Sequence, residues 1–140
     1  AAGARRPLVS LLGEHGITNY ERDELRLHMR GRAVFNFVMS RVPVSIESCL
    51  RKAGIGLADV DWFALHQGST YMLDALARRA GIPAEKVLKN MDRFENTVSS
   101  TIPLLLAELD ARGQLGGRTI LMSGFGVGLS WASAVMRFHR

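Results

Sequence analysis

The residues of this sequence that could perform chemistry are a histidine, an asparagine and a run of glycines. His66 directly follows the apolar stretch 60–65, which is typical of a short buried strand. Ligand crevices in open α/β sheets form at the carboxyl ends of strands, and a histidine there can act as an acid, a base or a hydrogen-bond donor. The alternative interpretation is a structural histidine satisfied by backbone groups.

Asn96 and the glycines are less specific by themselves. Asn96 lies in a polar loop before a predicted helix, where asparagine is most often a turn residue or an N-cap. The run at 124–128 reads GFGVG. A dinucleotide fingerprint needs its glycines to open a helix, whereas here a predicted strand follows. The run therefore indicates a tight turn, which either simply joins two strands or directs backbone N–H groups toward an oxyanion.

The remaining reactive side chains give no further site. Cys49 falls on the apolar stripe of a predicted helix, which favours a buried small hydrophobe over a nucleophile. Ser123 lacks the sequence context of a nucleophile elbow, and no Ser/His/Asp triad can be assembled. No group of Cys and His has the spacing of a metal site, so we expect no metal. A single cysteine cannot form an internal disulfide, which fits a reducing, cytoplasmic setting.

Composition limits the class of protein. Hydrophobic residues make up 47% and charged residues 22% of the 140-residue chain, as in ordinary globular domains. The net charge of +5 suits an acidic partner, but the charges are scattered, so we do not expect nucleic acid binding. No apolar run approaches the roughly 20 residues of a membrane span. Without an initiator Met or a signal peptide, the sequence is expected to be a processed piece or a fragment.

Periodicity predicts alternating helices and strands. A helix is expected from Gly31 to Gly54, with Pro43 kinking or splitting it and a buried stripe of Phe35, Val38, Val42, Ile46, Cys49 and Ala53. Strands are expected at 60–65, 87–88, 118–122 and 130–138, and helices at 69–81 and 102–113, while 8–12 could be a further short strand. The last two strands, joined by the glycine turn, should be antiparallel. Together these elements indicate an α/β layered domain.

Four stretches, taken together, resemble one family. Residues 27–35, 61–67, 92–97 and 124–131 read LHMRGRAVF, DWFALHQ, DRFENT and GFGVGLSW. They are similar, in order and spacing, to motifs in the C-terminal half of ketoacyl-acyl-carrier-protein synthase III. The resemblance implies the C-terminal half of a thiolase-like fold over residues 27–140, a mixed sheet layered between helices. Residues 1–26 would be a lead-in of uncertain structure.

The resemblance also implies an activity, a decarboxylative condensation of an acyl thioester with malonyl-acyl-carrier protein in fatty acid synthesis. His66 and Asn96 would donate hydrogen bonds to the malonyl thioester oxygen, where negative charge develops as carbon dioxide leaves. The backbone N–H of Val127, with Gly126 and Gly128 beside it, would serve an oxyanion, and Phe125 would line the pocket. Acyl-CoA and malonyl-acyl-carrier protein are substrates, and no cofactor is implied.

The resemblance implies three partners. A first half, absent from this sequence, supplies a Cys nucleophile. An acyl carrier protein docks on Arg78 and Arg79, and a second copy completes a homodimer. An exposed helix face is the alternative for the two arginines. Alone, the chain should be inactive. Three departures from the family pattern, Gly68, Tyr71 and Glu95, leave acyl and carrier preference open. Two other hypotheses stay open: a non-catalytic module that binds a carrier or partner, and a polyketide- or quinolone-type condensing enzyme or acyltransferase on the same scaffold.

Overall fold

The computed structural model of the chain describes residues 30–126 and 128–139. The predicted strand at 8–12, the lead-in 1–26 and Val127 lie outside these residues. The helices and strands, in chain order, are α1 Gly31–Ala53, β1 Trp62–Leu65, α2 Thr70–Ala80, α3 Met91–Phe94, α4 Thr101–Ala111, β2 Thr119–Gly126 and β3 Ser130–Arg137. Short 3-10 turns occupy Leu57–Asp59, Ala84–Lys86 and Val98–Ser100.

Helix α1 is continuous through Pro43, so of the two predicted effects of this proline, a kink or a split, the split does not occur. A proline inside a helix removes one backbone hydrogen bond, at a cost of about 3 kcal/mol. Val42 and Ile46, on either side of it, are buried in the core, and their burial offsets that loss. The helix ends as predicted at Gly54, whose φ of 70° lies in the left-handed region that glycine adopts without strain.

The buried stripe of α1 is shifted from the predicted one. Its buried members are Phe37, Val38, Val42, Ile46 and Leu50. Phe35 and Cys49 are only half-buried and Ala53 is exposed, so the predicted burial of these three side chains was wrong. A spacing of three or four residues admits neighbouring stripes, and contact with the sheet and with α2 decides between them.

The sheet is mixed and has the strand order β1-β2-β3 among the described residues. Strand β1 runs parallel to β2, with Trp62 opposite Ile120, and β2 and β3 are antiparallel as predicted. The predicted strand at 87–88 is reduced to one bridge between Val87 and Phe63. Strand β2 is longer than predicted, because Gly124–Gly126 continue its pairing with β3 and are not part of the turn.

Helices cover both faces of this sheet, which confirms the predicted layering of helix, mixed sheet and helix. On one face, α1 and α2 bury a core that includes Phe63, Leu65 and Leu121. On the other face, Leu105 and Leu109 of α4 pack on Ala64 and Ile120. Alternation along the strands sends successive side chains to opposite faces, so each strand contributes to both cores.

Asp61 fixes the register of the two parallel strands. Its Oδ2 accepts a hydrogen bond from the Thr119 backbone N–H at 2.8 Å, and its Oδ1 accepts one from Arg118 at 3.0 Å. The Thr119 bond, together with Arg118, holds the pKa of Asp61 below its usual value, although partial burial opposes this. This clamp at the start of β1 and β2 aligns their carboxyl ends, where His66 follows β1.

None of the helices within residues 30–126 and 128–139 has the length and apolar character needed to cross a membrane.

Candidate active site

A cavity of about 690 Å³ opens at the carboxyl ends of β1 and β2. His66, Asn96, Thr101, Phe125 and Gly126 all line it. Its walls are mainly apolar, and the polar side chains reach it from three separate parts of the chain. The structure therefore brings together the histidine, the asparagine and the end of the glycine strand, at the crevice expected from strand topology.

His66 is held on three sides. Its backbone N–H donates to the Ser123 carbonyl oxygen at 2.9 Å, which extends the β1–β2 pairing by one residue. Its Nδ1 lies 2.9 Å from Thr101 Oγ1. Its ring meets the Phe125 ring edge-on, with centroids 5.4 Å apart and planes at 89°. These contacts fix both the position of the imidazole and the orientation of its ring plane.

Burial lowers the pKa of His66 below its ordinary value of 6.5, and a hydrogen bond to the Val98 backbone partly opposes the shift. The charged form loses hydration in the cavity, so the neutral ring is favoured. At neutral pH the imidazole is therefore uncharged, with one nitrogen able to donate a hydrogen bond and the other able to accept one.

Asn96 is held through its oxygen. Its Oδ1 accepts a hydrogen bond from the Val98 backbone N–H at 3.0 Å. The amide NH₂ makes no hydrogen bond with the described residues, so both of its protons are free for a ligand in the cavity. This is the local turn geometry that asparagine favours, and it engages the oxygen of the side chain while leaving the NH₂ without a partner among the described residues.

Glu95, which precedes Asn96, has an unusual backbone. Its φ is 54° and its ψ is −152°, a conformation that glycine adopts readily and other residues adopt at a cost. Glu95 is also one of the three residues that depart from the family pattern. The backbone at this position is thus one that a glycine would satisfy without strain.

Gln67 and Thr101 are the residues of the site that the sequence did not reveal. Gln67 is fully buried, and its Nε2 donates to the carbonyl oxygens of Leu65 at 2.8 Å and Leu88 at 3.2 Å, while its Oε1 accepts from the Asn90 N–H at 3.3 Å. It therefore links the loop that carries His66 to residues 88–90 of the same chain. The only sequence signal was the place of each residue, next to His66 or at the start of a predicted helix.

The other predicted residues are placed as follows. Phe125 and Gly126 line the cavity, Gly128 is not among its lining residues, and the roles expected of these three residues stay predictions. Val127 lies outside the described residues. Arg78 and Arg79 are exposed in the last turn of α2.

Cys49 does not line this cavity. It lies in a smaller groove of about 320 Å³, whose wall also includes Val44, Lys52 and Trp131. The cysteine of this sequence is thus not placed to act beside His66. Among residues 30–126 and 128–139, no group of three or more His, Cys, Asp or Glu side chains could hold a metal ion.

The chain matches the family model of the 3-oxoacyl-[acyl-carrier-protein] synthase III C terminal over residues 50–138. It is 43% identical over 114 residues to the chloroplastic beta-ketoacyl-[acyl-carrier-protein] synthase III of Arabidopsis thaliana, covering 81% of this chain and 28% of that protein. The corresponding enzyme of Acaryochloris marina is 41% identical and is covered to 35% of its length. The chain thus spans about a third of the length of these curated relatives.

Solved structures agree with this match. The synthase III of Thermus thermophilus has a TM-score of 0.76 at 38% identity, over 81% of this chain and 36% of that one. The priming beta-ketosynthase of the R1128 polyketide pathway has a TM-score of 0.77 at 29% identity, over 94% of this chain and 39% of that one. These neighbours confirm a thiolase-like α/β fold. From its family match, its relatives and its fold, the chain belongs to the 3-oxoacyl-[acyl-carrier-protein] synthase III family, as a C-terminal domain.

Proposed function

We propose that this chain is the catalytic C-terminal half of a condensing enzyme that joins an acyl thioester to malonyl-acyl-carrier protein with loss of carbon dioxide. The observation that carries the proposal is the shared cavity of His66 and Asn96 at the carboxyl ends of β1 and β2. Acyl-CoA and the malonyl carrier are the substrates, and the chemistry calls for no metal or organic cofactor.

His66 and Asn96 act as hydrogen-bond donors to the malonyl thioester oxygen. As the carboxylate leaves, its bonding electrons move to the neighbouring carbon and onto that oxygen, which gains negative charge. Donors directed at an atom that becomes charged only along the reaction stabilise the transition state more than the bound substrate. Asn96 supports this role because its oxygen is engaged by Val98, which leaves its NH₂ free.

The apolar walls of the cavity serve the same step. Loss of carbon dioxide moves the negative charge from the carboxylate to the thioester enolate, so apolar walls around the carboxylate disfavour its charged form, while the hydrogen-bond donors stabilise the charge at its new position. The same walls exclude water, which would otherwise protonate the carbanion before it attacks the acyl group. Phe125 contributes to the walls and holds the His66 ring edge-on.

The acyl group itself needs a nucleophile that these residues do not offer. Cys49 lines the separate groove, so we propose that a cysteine outside this sequence carries the acyl group and that the isolated chain has no condensing activity.

A half of this kind should present apolar surface to its partner. Val44 and Trp131, which face the smaller groove, are 61% and 45% exposed, and Met136 on β3 is 46% exposed. We propose that the missing half covers this region and that the complete enzyme is a homodimer.

The test is decarboxylation of malonyl-acyl-carrier protein by the complete enzyme that contains this chain. His66→Ala and Asn96→Ala should each lower the rate of carbon dioxide release about 100-fold or more, the effect of removing one oxyanion donor. Asn36→Ala and His139→Ala, at exposed positions, serve as matched controls and should leave the rate unchanged. Decarboxylation at the normal rate in either site variant would refute the assigned roles.

Docking of the carrier protein is proposed for Arg78 and Arg79. Both are exposed in the last turn of α2, roughly 12 Å along the helix from its start beside the His66 loop, and they offer an acidic carrier a surface of complementary charge. Reversing both charges to Glu should raise KM for malonyl-acyl-carrier protein and leave that for malonyl-CoA unchanged. An equal change for the two substrates would contradict docking at these residues.

A second candidate function is a priming condensation in polyketide synthesis. The likeness to the R1128 priming ketosynthase, which extends over 94% of this chain, favours it. Mass spectrometry of the product made from a mixture of acyl-CoA starters and malonyl carrier distinguishes the two. A short 3-oxoacyl carrier supports fatty acid synthesis, and preference for an unusual starter supports the polyketide role. Binding of the carrier without any product would instead support a non-catalytic module.

A further inference from the structure

Glu108 on α4 joins the two helices between which the Asn96 loop runs. Its side chain is 18% exposed. Its Oε2 accepts a hydrogen bond from the side-chain NH₂ of Asn90 at 2.7 Å, and its Oε1 forms an ion pair with Arg93. Asn90 immediately precedes α3, and Arg93 lies within it. The loop 95–100 therefore leaves one helix and enters another, and a single carboxylate holds both.

Asn90 extends this connection to the loop that carries His66. Asn90 is 2% exposed, and its backbone N–H donates a hydrogen bond to Gln67 Oε1 at 3.3 Å. Gln67 directly follows His66 in the sequence. The loop after β1, the start of α3 and the middle of α4 are thus linked through the side chains of Gln67, Asn90 and Glu108.

Helix α4 closes the connection through a second contact on the same face. Thr101 and Glu108 are seven residues apart, about two turns, so they lie on one side of the helix. Thr101 Oγ1 lies 2.9 Å from His66 Nδ1, and Glu108 meets Asn90 two turns later. The helix therefore contacts His66 itself and also the segment that leads into the Asn96 loop.

We propose that Glu108 is a positioning residue that sets the place of the Asn96 amide relative to His66. The inference rests on the proposed function, in which both side chains donate to one thioester oxygen. The bond from Val98 orients the Asn96 amide only within its own loop. The position of that loop relative to β1 depends on its two ends, which Glu108 joins. A displacement of about 1 Å at a reacting centre can lower a rate about 100-fold.

The test measures carbon dioxide release from malonyl-acyl-carrier protein by the complete enzyme that contains this chain. Glu108→Ala should lower kcat about 10-fold or more, because the Asn96 loop loses its anchor. Glu108→Asp keeps the charge but shortens the side chain by one methylene, and it should give a smaller loss in the same direction. Glu108→Gln keeps an oxygen that can accept from Asn90 and should retain most of the rate. Asp110→Asn, at an exposed position of the same helix, is the matched control and should leave the rate unchanged.

Two further measurements separate positioning from a general loss of structure. In an Asn96→Ala background, Glu108→Ala should lower the rate by no more than about twofold further, because the side chain that it positions is gone. Hydrogen exchange followed by mass spectrometry should rise in Glu108→Ala for peptides covering 95–100 and stay unchanged for peptides covering β2. The alanine variant should also still accept an acyl group from acyl-CoA, a step in which Asn96 takes no part.

Three results would each overturn the proposal. They are an equal loss of rate on Glu108→Ala with and without Asn96, unchanged exchange at 95–100, and a loss in Glu108→Gln as large as in Glu108→Ala. Hydrogen exchange does not depend on any reaction, so this inference and the proposed function can fail separately. A normal rate in Asn96→Ala refutes the donor role of Asn96, whereas unchanged exchange in Glu108→Ala refutes the anchor.

Discussion

Gln67 offers the sharpest test of how the His66 loop is held. Its side chain is fully buried, and its three hydrogen bonds all go to backbone groups, on Leu65, Leu88 and Asn90. Gln67→Leu has a similar size and offers no partner to any of them. Two carbonyl oxygens and one N–H would then be left unsatisfied within the core.

The magnitude follows from that count. Each lost hydrogen bond removes about 1 kcal/mol net, and a buried group left unpaired costs about 1–3 kcal/mol. The added apolar side chain recovers part of this by burial, so we expect the free energy of unfolding to fall by about 3 kcal/mol. The total free energy of unfolding of a domain of this size is about 5–15 kcal/mol, so this loss would be a large fraction of it.

Urea unfolding followed by circular dichroism measures the change. With a slope of about 2 kcal/mol per molar urea, the midpoint should fall by about 1.5 M. Gln114→Leu is the matched control, since Gln114 is exposed and its change should stay within about 0.5 kcal/mol. A Gln67→Leu midpoint within about 0.3 M of the unaltered chain would refute the claim that these three bonds hold the loop.

Three further changes test other parts of the site. Glu95→Gly should raise the free energy of unfolding by about 1 kcal/mol by relieving the strained backbone, whereas Glu95→Ala, which keeps the Cβ, should not; equal effects in urea unfolding would exclude strain as the cause. Ser69→Ala should cost about 1 kcal/mol, because Ser69 Oγ accepts a hydrogen bond from Met72 N–H at the start of α2, and an unchanged melting temperature would contradict a cap. The pKa of His66 is lower in the folded chain than in the unfolded one, so the unfolded chain binds a proton first as pH falls. The contribution of His66 to the free energy of unfolding should therefore be fully present above pH 6.5 and should decline below it until the pH passes the pKa of the folded state. Urea unfolding across this pH range should show the decline, and the His66→Gln variant should lack it.

The order of elements could be read from the sequence because it depends on local patterns. Spacing of apolar residues indicated the helices, and glycines marked the ends of α1 and α2 at Gly54 and Gly81. His66 was recognisable because it follows a buried strand, a position at which α/β sheets form ligand sites. Asn96 became convincing only with the family resemblance, since an isolated asparagine in a loop is usually a turn residue.

Tertiary contacts decided what local patterns left open. Helix α1 buries Phe37 and Leu50 and leaves Cys49 half-exposed, because packing against the sheet selects one of several adjacent stripes. Pairing with β3 extends β2 through Gly124–Gly126, although glycine alone favours a turn. The partners of His66 were also undetermined by sequence, since Thr101 is 35 residues away and meets Nδ1 only when α4 packs beside β1.

The sequence alone thus determined the order of the longer helices and strands and the two side chains most able to donate hydrogen bonds, but it did not predict helix α3 and it predicted a strand at 87–88 that is only one bridge. Only the folded chain decided that these side chains share one cavity. The physical reason is range: helix and strand preferences arise within a few residues, whereas the parallel pairing of β1 with β2 joins residues 62–65 to residues 120–123. That pairing creates the strand end where the site lies.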